Sequence, residues 1–358
     1  MSKTRIRDAA GLVAAGLVPA ERRDEIARVA ESYAVSITPT MAKLIQASDP
    51  HDPIALQFVP DAAELIRLPE ELTDPIGDDA HSPVAGLIHR YPDRVLLKLL
   101  HACPVYCRFC FRRETVGPGG PNILSPEALT AALDYISGDR AIWEVILTGG
   151  DPLALAPNRL AAIMRALADI PHVRVVRIHT RVPLVDPARV TPELVEALRM
   201  ETKPTWIALH ANHAREFTPA GERAVALLID AGFPMVSQTV LLRGVNDTVE
   251  TLAGLMRRFV ENRVKPYYLH HADLAPGTAR FRTTLEAGQA IMHALRGAVS
   301  GLCQPTYVLD IPGGFGKSPI GPTYLSHQGG QISVRDFKDR SHSYLSEPPA
   351  QRKPDLND

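Results

Sequence analysis

The sequence from position 101 to position 110 is HACPVYCRFC, and it places three cysteines on one short stretch. Cys103, Cys107 and Cys110 follow an apolar run that ends at Leu100. Thiolates are the ligands that hold iron–sulfur clusters, and a 4Fe-4S cluster is normally held by four of them. Three thiolates leave one iron free. The C-x3-C-x2-C spacing therefore predicts a 4Fe-4S cluster whose open iron can bind the amino and carboxylate groups of a ligand.

A closed zinc site is the main alternative interpretation of these cysteines. A structural zinc ion takes four ligands, so His101 or Cys303 would have to complete the set. His101 is awkwardly close to Cys103, and Cys303 lies beyond all the predicted strands. The chain has only four cysteines, and three lie close together, unlike the spread of a disulfide framework. We therefore predict a metal-binding protein of a reducing compartment, the cytoplasm.

Six β-type runs, with helical patterns between them, extend outward from the cysteine stretch. The runs are residues 95–100, 143–147, 173–178, 206–209, 235–241 and 267–269. Ser125-Pro126 and Thr191-Pro192 are typical helix starts, because Ser or Thr caps a helix and proline suits its first position. Alternating strands and helices predict a parallel sheet covered by helices. Six units are too few for a closed eight-stranded barrel, so we predict an α/β fold, a partial (β/α)6 barrel with its active site at the carboxyl ends of the strands.

The chain divides into four predicted parts. They are a helical N-terminal extension (1–85), the barrel (86–284), a C-terminal segment (285–337) and a polar tail (338–358).

Apolar residues make up 45% and charged residues 22% of the chain, and its formal charge is -1. This balance gives no electrostatic footprint for nucleic acid or an anionic membrane, and no run is long enough to span a bilayer. The start of the chain imitates a secretory signal weakly, and Asp8 argues against that interpretation. We expect a small-molecule partner.

A glycine-rich loop that carries a lysine follows a further β-type run at 306–310. Its sequence from position 311 to 319 is IPGGFGKSP. A nucleotide-binding P-loop would need glycine at Ile311 and a helix after the lysine, which Pro319 prevents. A lysine in such a loop suits a Schiff base with pyridoxal phosphate, because a lowered pKa supplies the neutral amine. Lys317 is the candidate, and a solvated lysine on a turn is the alternative.

The cysteine spacing at the end of the first strand resembles that of the radical S-adenosylmethionine (SAM) enzymes. The resemblance implies that the reduced cluster cleaves SAM to methionine and a 5′-deoxyadenosyl radical, which abstracts hydrogen from the substrate. Gly149-Gly150-Asp151, after the second strand, resembles the family's GGE motif with Asp in place of Glu, and an ordinary turn is the alternative. Tyr106 resembles the aromatic residue near the adenine. The implied partner is an electron donor such as flavodoxin or ferredoxin.

Three stretches resemble the lysine 2,3-aminomutase family of radical SAM enzymes, which also uses pyridoxal phosphate. They are HRYPDRVL at 89–96, CRFCFRR at 107–113 and DIPGGFGK at 310–317. The resemblance covers about two thirds of the chain and implies that Lys317 forms the Schiff base with pyridoxal phosphate. The other implied cofactor contacts are Arg90, Tyr91 and Arg94 for pyridoxal phosphate, and His210 and Gln238 for SAM.

The same resemblance implies a cationic amino acid as substrate. Arg112 takes the place of the residue that binds the substrate carboxylate, and Asp273 and Asp310 take the places that hold the distal ammonium of lysine. A cation drawn into an enclosed site needs such carboxylates. The implied activity is that of an isomerase that interconverts L-lysine and β-lysine. The alternatives are another cationic amino acid, β-lysine supply for modification of elongation factor P, and an iron–sulfur binding module without catalysis.

Two residues depart from the family pattern. Phe315 stands where lysine aminomutases tend to have glycine, and His270 stands where they tend to have tyrosine near the cofactor. Both changes bear on rate or substrate choice. The sequence leaves a homo-oligomer open.

Overall fold

The computed structural model describes residues 4–117, 123–328 and 331–344. Nine strands form one sheet in chain order. They are β1 Leu87–Tyr91, β2 Arg94–Leu100, β3 Glu144–Gly149, β4 Val175–Thr180, β5 Thr205–His210, β6 Met235–Val240, β7 Lys265–His270, β8 Thr306–Asp310 and β9 Lys317–Pro319. Strands β2 to β8 are parallel, while β1 and β9 pair antiparallel at the two ends. The predicted partial α/β barrel is confirmed, and β8 adds a seventh parallel strand to the six predicted units.

Helices precede the sheet and connect its parallel strands. They are α1 Ala9–Ala14, α2 Arg23–Ser32, α3 Pro39–Leu44, α4 Pro53–Phe58, α5 Pro126–Gly138, α6 Pro157–Ala168, α7 Val182–Val185, α8 Pro192–Ala197, α9 Pro219–Asp230, α10 Val249–Glu261 and α11 Leu285–Ala298. The predicted helix starts are confirmed, because the Ser125 side chain accepts a hydrogen bond from the Ala128 N–H and the Thr191 side chain accepts one from the Leu194 N–H.

The main hydrophobic core lies between the sheet and the helices around it. Val176 and Ile178 of β4 belong to this core. Successive side chains of a strand point to opposite faces, so Arg177 and His179 point to the inner face of the curled sheet. On β5 the same alternation directs His210 inward. The concave face therefore carries polar side chains, and the carboxyl ends of the strands lead into it.

The N-terminal extension packs directly against the cysteine loop. A second core contains residues from α1 to α4 together with Val105 of that loop. The Ser36 hydroxyl donates to the carbonyl of Pro104 at 2.7 Å, and the Tyr106 N–H donates to the carbonyl of Ser36 at 3.0 Å. The loop is therefore shaped by a segment far away in the sequence.

One buried carboxylate joins the extension to two other parts of the chain. Glu64 is fully buried and accepts hydrogen bonds from Arg108 and Arg113 of the cysteine loop. Arg280, which lies beyond β7, donates to the same carboxylate at 3.2 Å. Three guanidinium groups thus share one acid.

A small antiparallel sheet follows the barrel. It contains β10 Leu325–Gln328, β11 Gln331–Arg335 and β12 Ser341–Tyr344. The segment predicted as a polar tail from residue 338 contains β12, which pairs with β11. Residues 345–358 of that predicted tail lie outside the described residues.

Candidate active site

Cys103, Cys107 and Cys110 lie on the loop after β2, and all three are free thiols. Burial and the neighbouring thiols raise the pKa of Cys103, and they raise the pKa of Cys110 to about 11. Neighbouring thiolates are therefore unfavourable here without a cation, and cluster iron would supply that charge. Cys303, a proposed fourth zinc ligand, packs in the main core.

The thiols do not close around a single ion. Across residues 4–117, 123–328 and 331–344, no group of three His, Cys, Asp or Glu side chains is placed to hold one metal ion. The thiolates of a 4Fe-4S cluster bind different irons, so they do not need to converge on one point.

The glycine motif after β3 packs against the cysteine loop. Gly149 has a φ of 111°, and a Cβ on Gly150 would lie 2.2 Å from the carbonyl oxygen of Ala102. Glycine is therefore required by a close backbone approach. The Asp151 carboxylate accepts hydrogen bonds from the Thr180 hydroxyl and the Arg181 N–H, both at 2.7 Å. Asp151 thus fixes the backbone at the end of β4.

The predicted SAM contacts gather beside this loop. His210 and Gln238 are partners in register on β5 and β6. Burial lowers the pKa of His210 well below its ordinary value, and the charge of Arg181 lowers it further. Arg181 itself donates a hydrogen bond to the Cys107 sulfur at 2.9 Å. Tyr106 lies close enough to Cys103 for the thiolate charge to add to the burial that raises the pKa of the phenol.

Lys317 and Asp310 form an ion pair at the far end of the sheet. The Lys317 Nζ donates to Asp310 Oδ1 at 2.5 Å, and the Lys317 N–H donates to the Tyr91 hydroxyl at 2.6 Å. His270 Nδ1 lies 3.2 Å from Asp310 Oδ2. Burial opposes ionisation, yet the His270 hydrogen bond and the Lys317 charge hold the pKa of Asp310 well below its ordinary range. The structure thus brings the predicted lysine and one predicted acid together.

Asp273, the second predicted acid, faces the same region. Burial raises its pKa to about 7, and the charge of Asp310 adds to this shift, while Lys317 and Arg112 oppose it. Its Oδ1 atom is buried and has no hydrogen-bond partner among the described residues. A buried acceptor without a donor is suited to a ligand that brings a donor.

Asp78 is a site residue that the sequence did not reveal. It accepts hydrogen bonds from Arg90 Nη2 and Arg112 Nη2, each at 3.0 Å. The predicted phosphate-binding and carboxylate-binding arginines are therefore held by one carboxylate. Arg94 has different partners, because it stacks over the Tyr91 ring at 3.7 Å. No motif surrounds Asp78, so no sequence signal pointed to it.

His179 is a second residue that sequence reasoning missed. Burial lowers its pKa well below the ordinary value, and positive charge on Arg177 and Lys317 adds to this effect. Its Nε2 atom is buried without a partner in the described part of the chain. The strand alternation of β4 predicts that His179 points inward, which was the available signal.

Comparisons with known proteins agree with this geometry. Residues 97–256 match the radical SAM superfamily, and residues 292–356 match the family described as lysine-2,3-aminomutase. The chain is 43% identical to the L-lysine 2,3-aminomutase of Clostridium subterminale over 92% of its own length and 78% of that protein. The chain belongs to the lysine 2,3-aminomutase family. The family resemblance is therefore confirmed over most of the sequence.

The lysine 2,3-aminomutase family has members with different substrate names. The L-lysine 2,3-aminomutase of Escherichia coli K12 is 35% identical over 80% of this chain and 83% of that protein. The glutamate 2,3-aminomutase of Clostridioides difficile is 36% identical over 86% of this chain and 72% of that protein. Membership makes the chain a radical SAM isomerase and implies a 4Fe-4S cluster and SAM. None of the described helices is long and apolar enough to cross a membrane.

The lysine 2,3-aminomutase site also fits pyridoxal phosphate. The Lys317 side chain is 29% exposed, so it is not sealed inside the core. Arg90 Nε is buried and has no partner within the described ranges, which leaves a donor for an anionic group. A Cβ on Gly316 would lie 2.8 Å from the Tyr91 hydroxyl, so glycine allows the loop to approach β1. These features suit a phosphate-bearing aldehyde bound at Lys317.

We expect Asp273→Asn to make the ligand-free chain more stable at pH 8. The carboxyl has an ordinary pKa of 3.8 and a folded-state pKa of about 7. Between these values the folded state keeps a proton that the unfolded state has lost, so the stability contributed by Asp273 falls as pH rises. Asparagine carries no titrating proton, so the variant does not lose this stability between pH 5 and pH 8.

Urea unfolding of the wild type and the variant at pH 5 and pH 8 measures the difference. An identical pH dependence in Asp273→Asn and wild type would contradict the assignment.

Proposed function

We propose that this chain is a radical SAM aminomutase that interconverts L-lysine and β-lysine with a 4Fe-4S cluster, SAM and pyridoxal phosphate. The observation that carries the proposal is the placement of two acids beside the loop lysine. Lys317 already forms an ion pair with Asp310, and Asp273 lies within its electrostatic influence. A site that accepts one ammonium on a carboxylate is suited to accept another from a substrate.

Each part of the site has a defined task in this proposal. Cys103, Cys107 and Cys110 hold the cluster, with SAM against His210 and Gln238. Lys317 holds pyridoxal phosphate, which supplies, when bound, the conjugated ring that allows nitrogen to move between adjacent carbons. Asp310 orients the Lys317 Nζ by accepting its hydrogen bond.

The substrate is positioned by charge at both ends. Arg112, held by Asp78, pairs with the α-carboxylate. Asp273 and Asp310 pair with the distal ammonium, for which Lys317 Nζ is the stand-in in the structure. A glutamate side chain would place a third carboxylate beside these two acids, which like-charge repulsion disfavours. The pair of acids therefore favours lysine over glutamate.

The direct test is anaerobic reconstitution with iron, sulfide and pyridoxal phosphate, followed by reduction with SAM and L-lysine present. Mass-detected chromatography should show β-lysine in the wild type and none in Cys107→Ala. Cys303→Ala is the matched control, because this cysteine lies outside the cysteine loop, so the change removes a thiol but no predicted cluster ligand. Formation of 5′-deoxyadenosine without β-lysine would refute lysine as substrate, and parallel reactions with ornithine, arginine and glutamate would then identify the preferred amino acid.

We expect Asp310→Asn to raise the KM for lysine on the order of a hundredfold, because a buried partner of the substrate ammonium is lost. The loss of the Lys317 contact should also lower kcat. Steady-state kinetics on L-lysine measures both constants. Asp134→Asn, an exposed change of the same type on α5, should alter neither. A variant with wild-type KM would show that Asp310 does not bind the substrate.

A further inference from the structure

Arg181 makes a direct contact with one of the three thiols. It follows the last residue of β4, and its Nη1 atom donates to the Cys107 sulfur at 2.9 Å. The residue is 7% exposed. Among the described residues, no other side chain donates a hydrogen bond to a sulfur of the cysteine loop. The three thiols therefore have unequal surroundings.

The guanidinium group is held in place by a buried network. Its Nη2 atom donates to Glu216 Oε2 at 2.5 Å and to Gln57 Oε1 at 3.1 Å. The Arg181 N–H donates to Asp151, which fixes the backbone as well. Glu216 is fully buried and also accepts from the Asn212 N–H at 2.8 Å. Arg181 therefore cannot turn toward solvent without leaving a buried charge unpaired.

The orientation of this ion pair matters for the sulfur. Arg181 and Glu216 are neutral together, but the positive end of the pair contacts Cys107. A buried dipole with this orientation favours additional negative charge on the sulfur. Hydrogen bonds to cluster sulfurs and local charge are among the factors that set the reduction potential of an iron–sulfur cluster.

We propose that Arg181 is a positioning residue that raises the reduction potential of the cluster through its charged hydrogen bond to Cys107. Reduction moves one electron from a low-potential one-electron donor to the cluster and neither makes nor breaks a bond. The added negative charge spreads onto the thiolates, and the guanidinium stabilises the reduced cluster more than the oxidised one. This role depends on the cluster that is assigned above to Cys107 and its two neighbours.

The test is a redox titration of the reconstituted chain with dithionite, without SAM or amino acid, followed by the EPR signal of the reduced cluster. The principal variant is Arg181→Gln combined with Glu216→Gln, which keeps the net charge and leaves no buried carboxylate unpaired. At a fixed potential its ratio of reduced to oxidised cluster should fall about tenfold or more, which is about 59 mV for one electron. Arg181→Lys keeps the charge but loses the fork geometry, so it should shift less in the same direction.

Arg215→Gln is the matched control. Arg215 is next to Glu216 in sequence but bonds to Asp52 at 2.7 Å and to no sulfur, so its variant should titrate like the wild type. Iron and sulfide contents are measured for every sample. Where the double variant assembles no cluster, Arg181→Lys decides: a midpoint below that of the wild type supports the proposal, and an unchanged midpoint overturns it.

Wild-type midpoints in the Arg181 variants that contain full iron would overturn the proposal. The absence of a 4Fe-4S signal from the wild-type chain would instead contradict the proposed function. The two failures are therefore distinguishable.

Discussion

Lys317→Ala should lower β-lysine formation on the order of a thousandfold or more, because the residue proposed to hold pyridoxal phosphate is lost. The visible absorbance of the bound cofactor should disappear from the purified variant. Asp310 also loses its cation, so its carboxylate is left with His270 alone. Product analysis and the absorbance spectrum measure the two effects independently.

Lys338→Ala is the matched control for this experiment. Lys338 lies on the exposed turn between β11 and β12, where its amine contacts the Phe337 ring and no residue of the candidate site, and its loss should change neither activity nor absorbance. Cleavage of SAM to 5′-deoxyadenosine should remain detectable in Lys317→Ala, since the cluster loop is untouched. Full activity of the variant would refute pyridoxal phosphate at this lysine.

Glu64→Gln should destabilise the folded chain by about 3–5 kcal/mol, the usual loss when one partner of a buried ion network is removed. The amide keeps the size of the side chain but not its charge. Arg108, Arg113 and Arg280 then remain together without a shared counter-charge. Urea unfolding followed by circular dichroism measures the free-energy difference.

An exposed acid provides the comparison. Glu25 pairs with Arg22 on the surface, so Glu25→Gln should cost less than about 1 kcal/mol. An equal loss of unfolding free energy in the two variants would show that the Glu64 network stabilises the fold no more than a surface ion pair does. The apo chains serve for both measurements, so cluster assembly does not enter the result.

The fold could be predicted from sequence because its signals are local. Each parallel strand is a short β-type run, and helix starts such as Ser125-Pro126 follow from the capping chemistry of neighbouring residues. The seventh parallel strand was recognised as a β-type run but not counted with the barrel. Helix α11 and strand β8 continue the alternation of the earlier units. The sequence did not indicate where the barrel ends. The strand β12 was missed because exposed polar residues carry weak strand signals.

The site could be predicted where a motif carries the chemistry. The cysteine spacing and the glycine loop with Lys317 are of this kind. Asp78, His179 and Arg181 are different, because each matters through a partner that the fold brings near. Arg181 gains its meaning from Cys107, which is 74 positions away in sequence. Their proximity in space cannot be read from a single sequence, because it arises only when the end of β4 lies beside the cysteine loop.

The contact between the N-terminal extension and the cysteine loop bears on how the protein matures. Backbone groups of the loop are fixed by Ser36 and Gln57, and Glu64 anchors its arginines. These bonds tie the arrangement of the three thiols to the packing of a segment that carries no cluster ligand of its own. We therefore expect substitutions that loosen the extension to lower the iron content of the chain even though every cysteine is kept.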